Sequence, residues 1–227
     1  MELIDFTSFL DIDGEYKRLK EDELIITLIS LGKKARMEGL LALEDDIDIM
    51  EPMFLGKLIQ SIVDGYDPEI LIAMANCDID MIKECLTDMH ECIAFACIHL
   101  HDCDFDRIFD ALCSSKRGSW MSSLLHLILS QLREAVTGDM HTEKFPSTRY
   151  GDIVSVIHSP FDETIKLRLI DNHFDSISRE TVLLYRLILD GSDCVQRGFN
   201  PEMIKDVMLS SCNPEVRKLL HLEPVDE

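Results

Sequence analysis

The sequence predicts an all-α protein, with short helices in a solenoid-like or bundle arrangement. Three observations carry that prediction. Apolar residues recur at i, i+3, i+4 spacing along most of the chain. No stretch sustains the alternation of a half-buried strand. Helix-stop and helix-start residues fall between the apolar runs, most clearly at Asp64-Gly65 and Asp67-Pro68-Glu69.

Taken in order, Leu24, Ile25, Leu28, Ile29 and Leu31 make an apolar face before Gly32, and Leu40, Leu41 and Leu43 continue one beyond Arg36. Pro52 marks a break. Phe54, Leu55, Leu58, Ile59, Ile62 and Val63 form the next face, which stops at Asp64-Gly65. Asp67 then suits an N-cap, and Pro68 the first helical position, where its missing N–H is harmless. Ile70, Leu71, Met74, Ile82 and Leu86 carry the following core face across a turn expected at 76–80. Further helices are expected over 93–100, 105–112, 120–136, 153–157, 164–170, 181–189 and 201–209, with Asn213-Pro214-Glu215 opening a last one.

The stretch 137–151, with Gly138, Pro146 and Gly151, is long for a connection inside a compact domain. It reads as a linker between an N-terminal helical domain, 1–136, and a C-terminal one, 152–227. The second domain carries an echo of the first. Leu41, Leu43, Asp45, Leu58, Ile62, Asp64, Gly65 and Asp67 fall on Leu167, Leu169, Asp171, Leu184, Ile188, Asp190, Gly191 and Asp193, and after a short insertion Asn200-Pro201-Glu202 echoes Asp67-Pro68-Glu69. This predicts a degenerate repeat of 41–74 with Asp190-Gly191 as its helix stop.

Bulk properties bound the function. At 227 residues and 46% hydrophobic content the chain can bury a sizeable core. Its formal net charge of -21 repels phosphate backbones and anionic lipid, so nucleic-acid binding is disfavoured and a basic protein surface is the natural partner. The start, Met1-Glu2-Leu3-Ile4-Asp5, lacks the basic region and apolar run of a secretory signal. The apolar run 92–100 covers about nine residues, whereas a membrane-spanning helix needs roughly twenty. A cytoplasmic chain without a transmembrane segment is expected, and its eight cysteines are expected as reduced thiols.

Cys85, Cys92, Cys97, His99, His101 and Cys103 cluster in sequence, but neither CxxC nor HExxH occurs. Small buried cysteines are the expectation, with no metal and no cofactor. His90, Glu91, His126, His141 and His158 could supply acid–base pairs. No phosphate-binding glycine loop or nucleophile elbow accompanies them, so a non-catalytic interaction protein is expected.

The stretch from Lys34 to Asp48 has a basic entry at Lys34 and Arg36, an apolar centre at Leu40-Leu41-Ala42-Leu43, and an acidic exit at Glu44, Asp45 and Asp48. With Val63-Asp64-Gly65 and Asp67-Pro68-Glu69 after it, residues 33–74 resemble the cytoplasmic segment of the flagellar motor stator A subunit, the MotA family. The resemblance implies that Arg36 and Glu44 contact oppositely charged residues of the rotor switch protein FliG, with Asp45 and Asp48 completing the charged surface. If one helix carried both, they would lie about 12 Å apart along its axis. The transmembrane machinery of an ion-driven stator has no place in this sequence, so contact is carried over and conduction is not. A weaker resemblance, over 90–135, is to the armadillo-like repeats of FliG itself. The function expected is a soluble flagellar-motor interaction protein that binds the rotor switch or other motor components through a charged helix. The alternative is a helical-repeat adaptor unrelated to motility.

Overall fold

The computed structural model describes residues 21–50, 53–99, 155–156 and 159–212. Every regular element among them is helical, as the apolar periodicity requires. They are α1 (Glu21–Glu38), a 3-10 segment (Leu40–Ile49), α2 (Met53–Val63), α3 (Pro68–His99), α4 (Glu163–Gln196) and α5 (Pro201–Ser211). The helices expected between 100 and 154, the linker 137–151 and the Asn213-Pro214-Glu215 start lie outside the described residues. So do the side chains of the cysteine–histidine cluster. Of the helix expected over 153–157, Ser155 and Val156 are described and are helical.

The chain forms two compact units that do not follow its order. One gathers 1–4, 17–82 and 180–227, and the other gathers 5–16 and 83–179. The end of α4, which the sequence places in a separate C-terminal domain, thus joins the unit of α1 and α2. The core of that first unit explains why. Leu24, Ile25 and Leu28 of α1, Leu55 and Ile59 of α2, Leu187 and Ile188 of α4, and Ile204 and Met208 of α5 are fully buried in one cluster. Each such side chain contributes about 1.5–3 kcal/mol over leaving it in water. The Phe54 and Tyr185 rings, 4.8 Å apart and tilted by 48°, tie α2 to α4.

Two expected breaks are absent because buried residues keep helical spacing straight through them. α3 runs through 76–80 unbroken: Ala75, Ile79 and Ile82 are buried, while Asn76 donates its amide back to the Ile72 carbonyl. Asp78 accepts from Lys57 Nζ of α2 at 2.5 Å, a half-buried pair that fixes α3 against α2. Likewise the helices expected at 164–170 and 181–189 are one helix, α4, with Ile170, Phe174 and Ile177 buried along it. In the second unit the His90 ring of α3 stands 5.0 Å from Phe174, and its Nε2 lies 2.8 Å from Asp171 Oδ1.

The α2–α3 junction is as expected. Gly65 takes φ +79°, its N–H donates to the Ile62 carbonyl, and the Tyr66 N–H reaches back to Ser61. This is a Schellman stop, which satisfies two of the carbonyls a helix end leaves orphaned. Asp67 Oδ1 then accepts the Glu69 N–H at 2.9 Å, ahead of Pro68. The α4–α5 junction has the same geometry, seven positions beyond the expected stop. Gly198 takes φ +69° and donates to Val195, Phe199 N–H bonds Cys194, and Asn200 Oδ1 accepts from Met203 N–H at 2.7 Å.

Gly191 is therefore not a stop. It lies inside α4, where an added Cβ would come 2.6 Å from Leu28 Cδ1. The residue is small because α1 passes close by. Gly32 has the same role within α1: a Cβ there would meet Ile204 Cδ1 of α5 at 2.3 Å. Asp190, next to Gly191, is held above the usual carboxylate range, by burial first and then by Asp193, with Arg186 opposing.

Candidate functional site

The basic and acidic halves of the expected surface stand on different elements. Arg36 lies in the last turn of α1, where a positive charge suits the helix dipole. α1 ends at Gly39, which takes φ +92° after donating its N–H to the Ala35 carbonyl. From Leu40 the backbone tightens to 3-10 geometry, so Arg36 and Glu44 do not share one helix and the 12 Å axial spacing does not apply.

Ten residues make a long 3-10 segment, and its periodicity sets what each residue faces. At three residues per turn, Leu40, Leu43 and Asp46 fall in one row. Leu43 is fully buried, and Asp46 accepts from Lys34 Nζ of α1 at 2.7 Å. That bond, more than the nearby acidic charges, raises the Lys34 pKa. The pair holds the 3-10 segment against α1. Asp45 and Asp48 of the second row and Leu41 and Glu44 of the third are exposed, whereas Ile47, further along the third row, packs against the core and Ile49, at the end of the first, is 80% exposed.

Arg36 is exposed too, but it has a partner within the fold. Its Nη1 donates to the Gly198 carbonyl at 3.3 Å, at the α4–α5 junction. Two residues earlier, Gln196 Nε2 donates to the Tyr66 carbonyl of the α2–α3 junction at 2.6 Å. The C-terminal ends of α1, α2 and α4 therefore meet at one end of the first unit. Arg197 beside them is paired with Asp193, Nε to Oδ1 at 2.8 Å, which raises its pKa. Burial, with Asp193 and Asp190 adding to it, pushes the Cys194 thiol up to about 11.

The sequence reading missed Met37 and Leu41, which are 80% and 72% exposed. Leu41 falls on the core face if a 3.6-residue period is carried through Leu40 and Leu43, and the 3-10 period rotates it outward. Among the described residues no group of His, Cys, Asp and Glu is placed to hold a metal ion. No helix among them is long and apolar enough to cross a membrane.

The arrangement places opposite charges and two large exposed apolar side chains on adjoining segments at a helix-end cluster of an all-α scaffold. No protein-family model matches the chain. Motility protein A of Borreliella burgdorferi is 24% identical to it over 200 residues, which cover 87% of this chain and 68% of that protein. The structure of C. jejuni MotAB matches with a TM-score of 0.55 at 18% identity, covering 91% of this chain and 73% of that one. At that identity the match is one of fold. These findings bear out the resemblance to the MotA family and support an association with a flagellar motor. They extend the likeness well beyond 33–74. Neither relative is a rotor switch protein, and most of 90–135, where the armadillo-like reading was placed, lies outside the described residues.

Proposed function

We propose that this chain is a non-catalytic component associated with a flagellar motor, at its cytoplasmic side, that presents a stator-like face to the rotor switch protein FliG. Arg36, Glu44, Asp45 and Asp48 form the charged part of that face. One observation carries the reading: all four are exposed, while their charged neighbours Lys34 and Asp46 are consumed in holding the two segments together. Arg36 also donates to the Gly198 carbonyl, a bond that steadies it at this face. Exposed charges at an interface act mainly on encounter, so their effect belongs in the association rate.

The test is binding of the full chain to purified FliG by biolayer interferometry, with Arg36→Glu and Glu44→Lys combined. The double reversal leaves net charge unchanged but inverts the pattern. The association rate is expected to fall by roughly tenfold at low salt, since steering acts over that range. An unchanged rate would remove these residues from the contact.

A further inference from the structure

Exposed leucines and methionines scattered singly over a surface need no explanation. Met37 and Leu41 are not scattered. They stand four positions apart on the two segments that meet at Gly39, each next to or in one row with a charge of the proposed face: Met37 follows Arg36, and Leu41 shares its 3-10 row with Glu44. Met37 is exposed in the last turn of α1, and Leu41 is exposed in the first turn of the 3-10 segment that follows Gly39.

The surroundings indicate what such a pair would meet. The carbonyl ends of α1, α2 and α4 converge here, as the Arg36–Gly198 and Gln196–Tyr66 hydrogen bonds require. Helix C-termini carry partial negative charge. Glu44, Asp45 and Asp48 add full charges on the adjoining segment, in a chain whose net charge is already -21. A partner complementary to this end has a basic rim. To cover Met37 and Leu41 it also has an apolar socket within that rim, the pattern of an interface whose centre is dry and whose edge is charged.

We propose that Met37 and Leu41 anchor the docking contact, seating in an apolar socket that the partner surrounds with lysine or arginine side chains. This rests on the reading of the charged face given above and divides the work differently within it. The charges bring the partner in, and the apolar pair sets how long it stays. Residence is where most differences between related interfaces lie.

The experiment measures association and dissociation of the full chain on immobilised FliG for the native sequence, Met37→Ala, Leu41→Ala, Met37→Leu, and Met203→Ala as the control. Met203 is exposed on a different element, α5. Both alanine variants at the pair are expected to dissociate about tenfold faster with little change in association rate, the size of a moderate anchor residue. Met37→Leu keeps the apolar area and is expected to restore slow dissociation, and Met203→Ala is expected to behave as native. Because Met37 and Leu41 are largely exposed, melting curves are expected to be unchanged. Native-like dissociation of Met37→Ala and Leu41→Ala would overturn the anchoring role and leave the charged face standing. No binding of the native chain to FliG would overturn both.

Discussion

The crossing of α1 and α5 can be tested atom by atom. An alanine Cβ at Gly32 would sit 2.3 Å from Ile204 Cδ1, while the next nearest atoms, Val195 Cγ2 and Ile204 Cγ1, are at 3.8 and 3.9 Å. One methyl group accounts for the entire conflict. Gly32→Ala alone overpacks a closed core, which costs about 1–3 kcal/mol. The gain in helix propensity, about 1 kcal/mol, offsets part of that. A net loss of roughly 1 kcal/mol is expected. Ile204→Val alone removes the offending methyl and costs about 1 kcal/mol as a small cavity. Together the new Cβ occupies the space the old methyl leaves, the propensity gain remains, and the pair is expected to be nearly neutral. The coupling energy is then about 2 kcal/mol in favour of the double variant, well above the ~0.5 kcal/mol scatter of independent sites. Urea unfolding of the full chain, followed by far-UV circular dichroism, measures it. Additive single effects would refute the close approach of α1 to α5 and the reason given for Gly32.

Two further outcomes are expected. Gly65→Ala and Gly198→Ala each introduce a Cβ that meets nothing within 4 Å, yet each forces alanine into the left-handed region, so each should cost about 1 kcal/mol in chemical unfolding. Asp190→Asn should raise stability at neutral pH and lose that advantage in acid. The folded-state pKa of Asp190 is raised, so its stabilising contribution is present below the ordinary carboxylate range and is lost as pH rises through the raised value. A pH series of thermal melts, native against variant, reads the difference.

What could be read from the sequence was local. Asp64-Gly65 and Asp67-Pro68 announce the α2–α3 junction because the stop, the cap and the first-turn proline are all encoded within a few residues. The errors share a cause. Asn76 and Asp78 look like turn residues, but Asn76 bonds back to Ile72 of its own helix and Asp78 pairs with Lys57, 21 positions away. Gly191 looks like Gly65 until Leu28 is known to lie against it. Leu41 looks like core because the period changes from 3.6 to 3.0 at Gly39, and nothing in the composition of Leu40–Ile49 marks that change. The charged positions of the proposed contact face came from the resemblance. Their separation from Lys34 and Asp46 came from the fold.

The hydrogen bond from Arg36 to Gly198 spans 162 positions, and that from Gln196 to Tyr66 spans 130. At about 5–20 residues per second, translation makes α5 roughly ten to thirty seconds after α1. Throughout that interval Leu24, Ile25 and Leu28 have emerged while Ile204 and Met208, which help to bury them, have not. Among the described residues, the first unit is therefore sealed by the helix made latest. Chains stopped before Asn200 are expected to carry an open apolar flank and to depend on chaperones or aggregate, whereas chains released after Cys212 can close it.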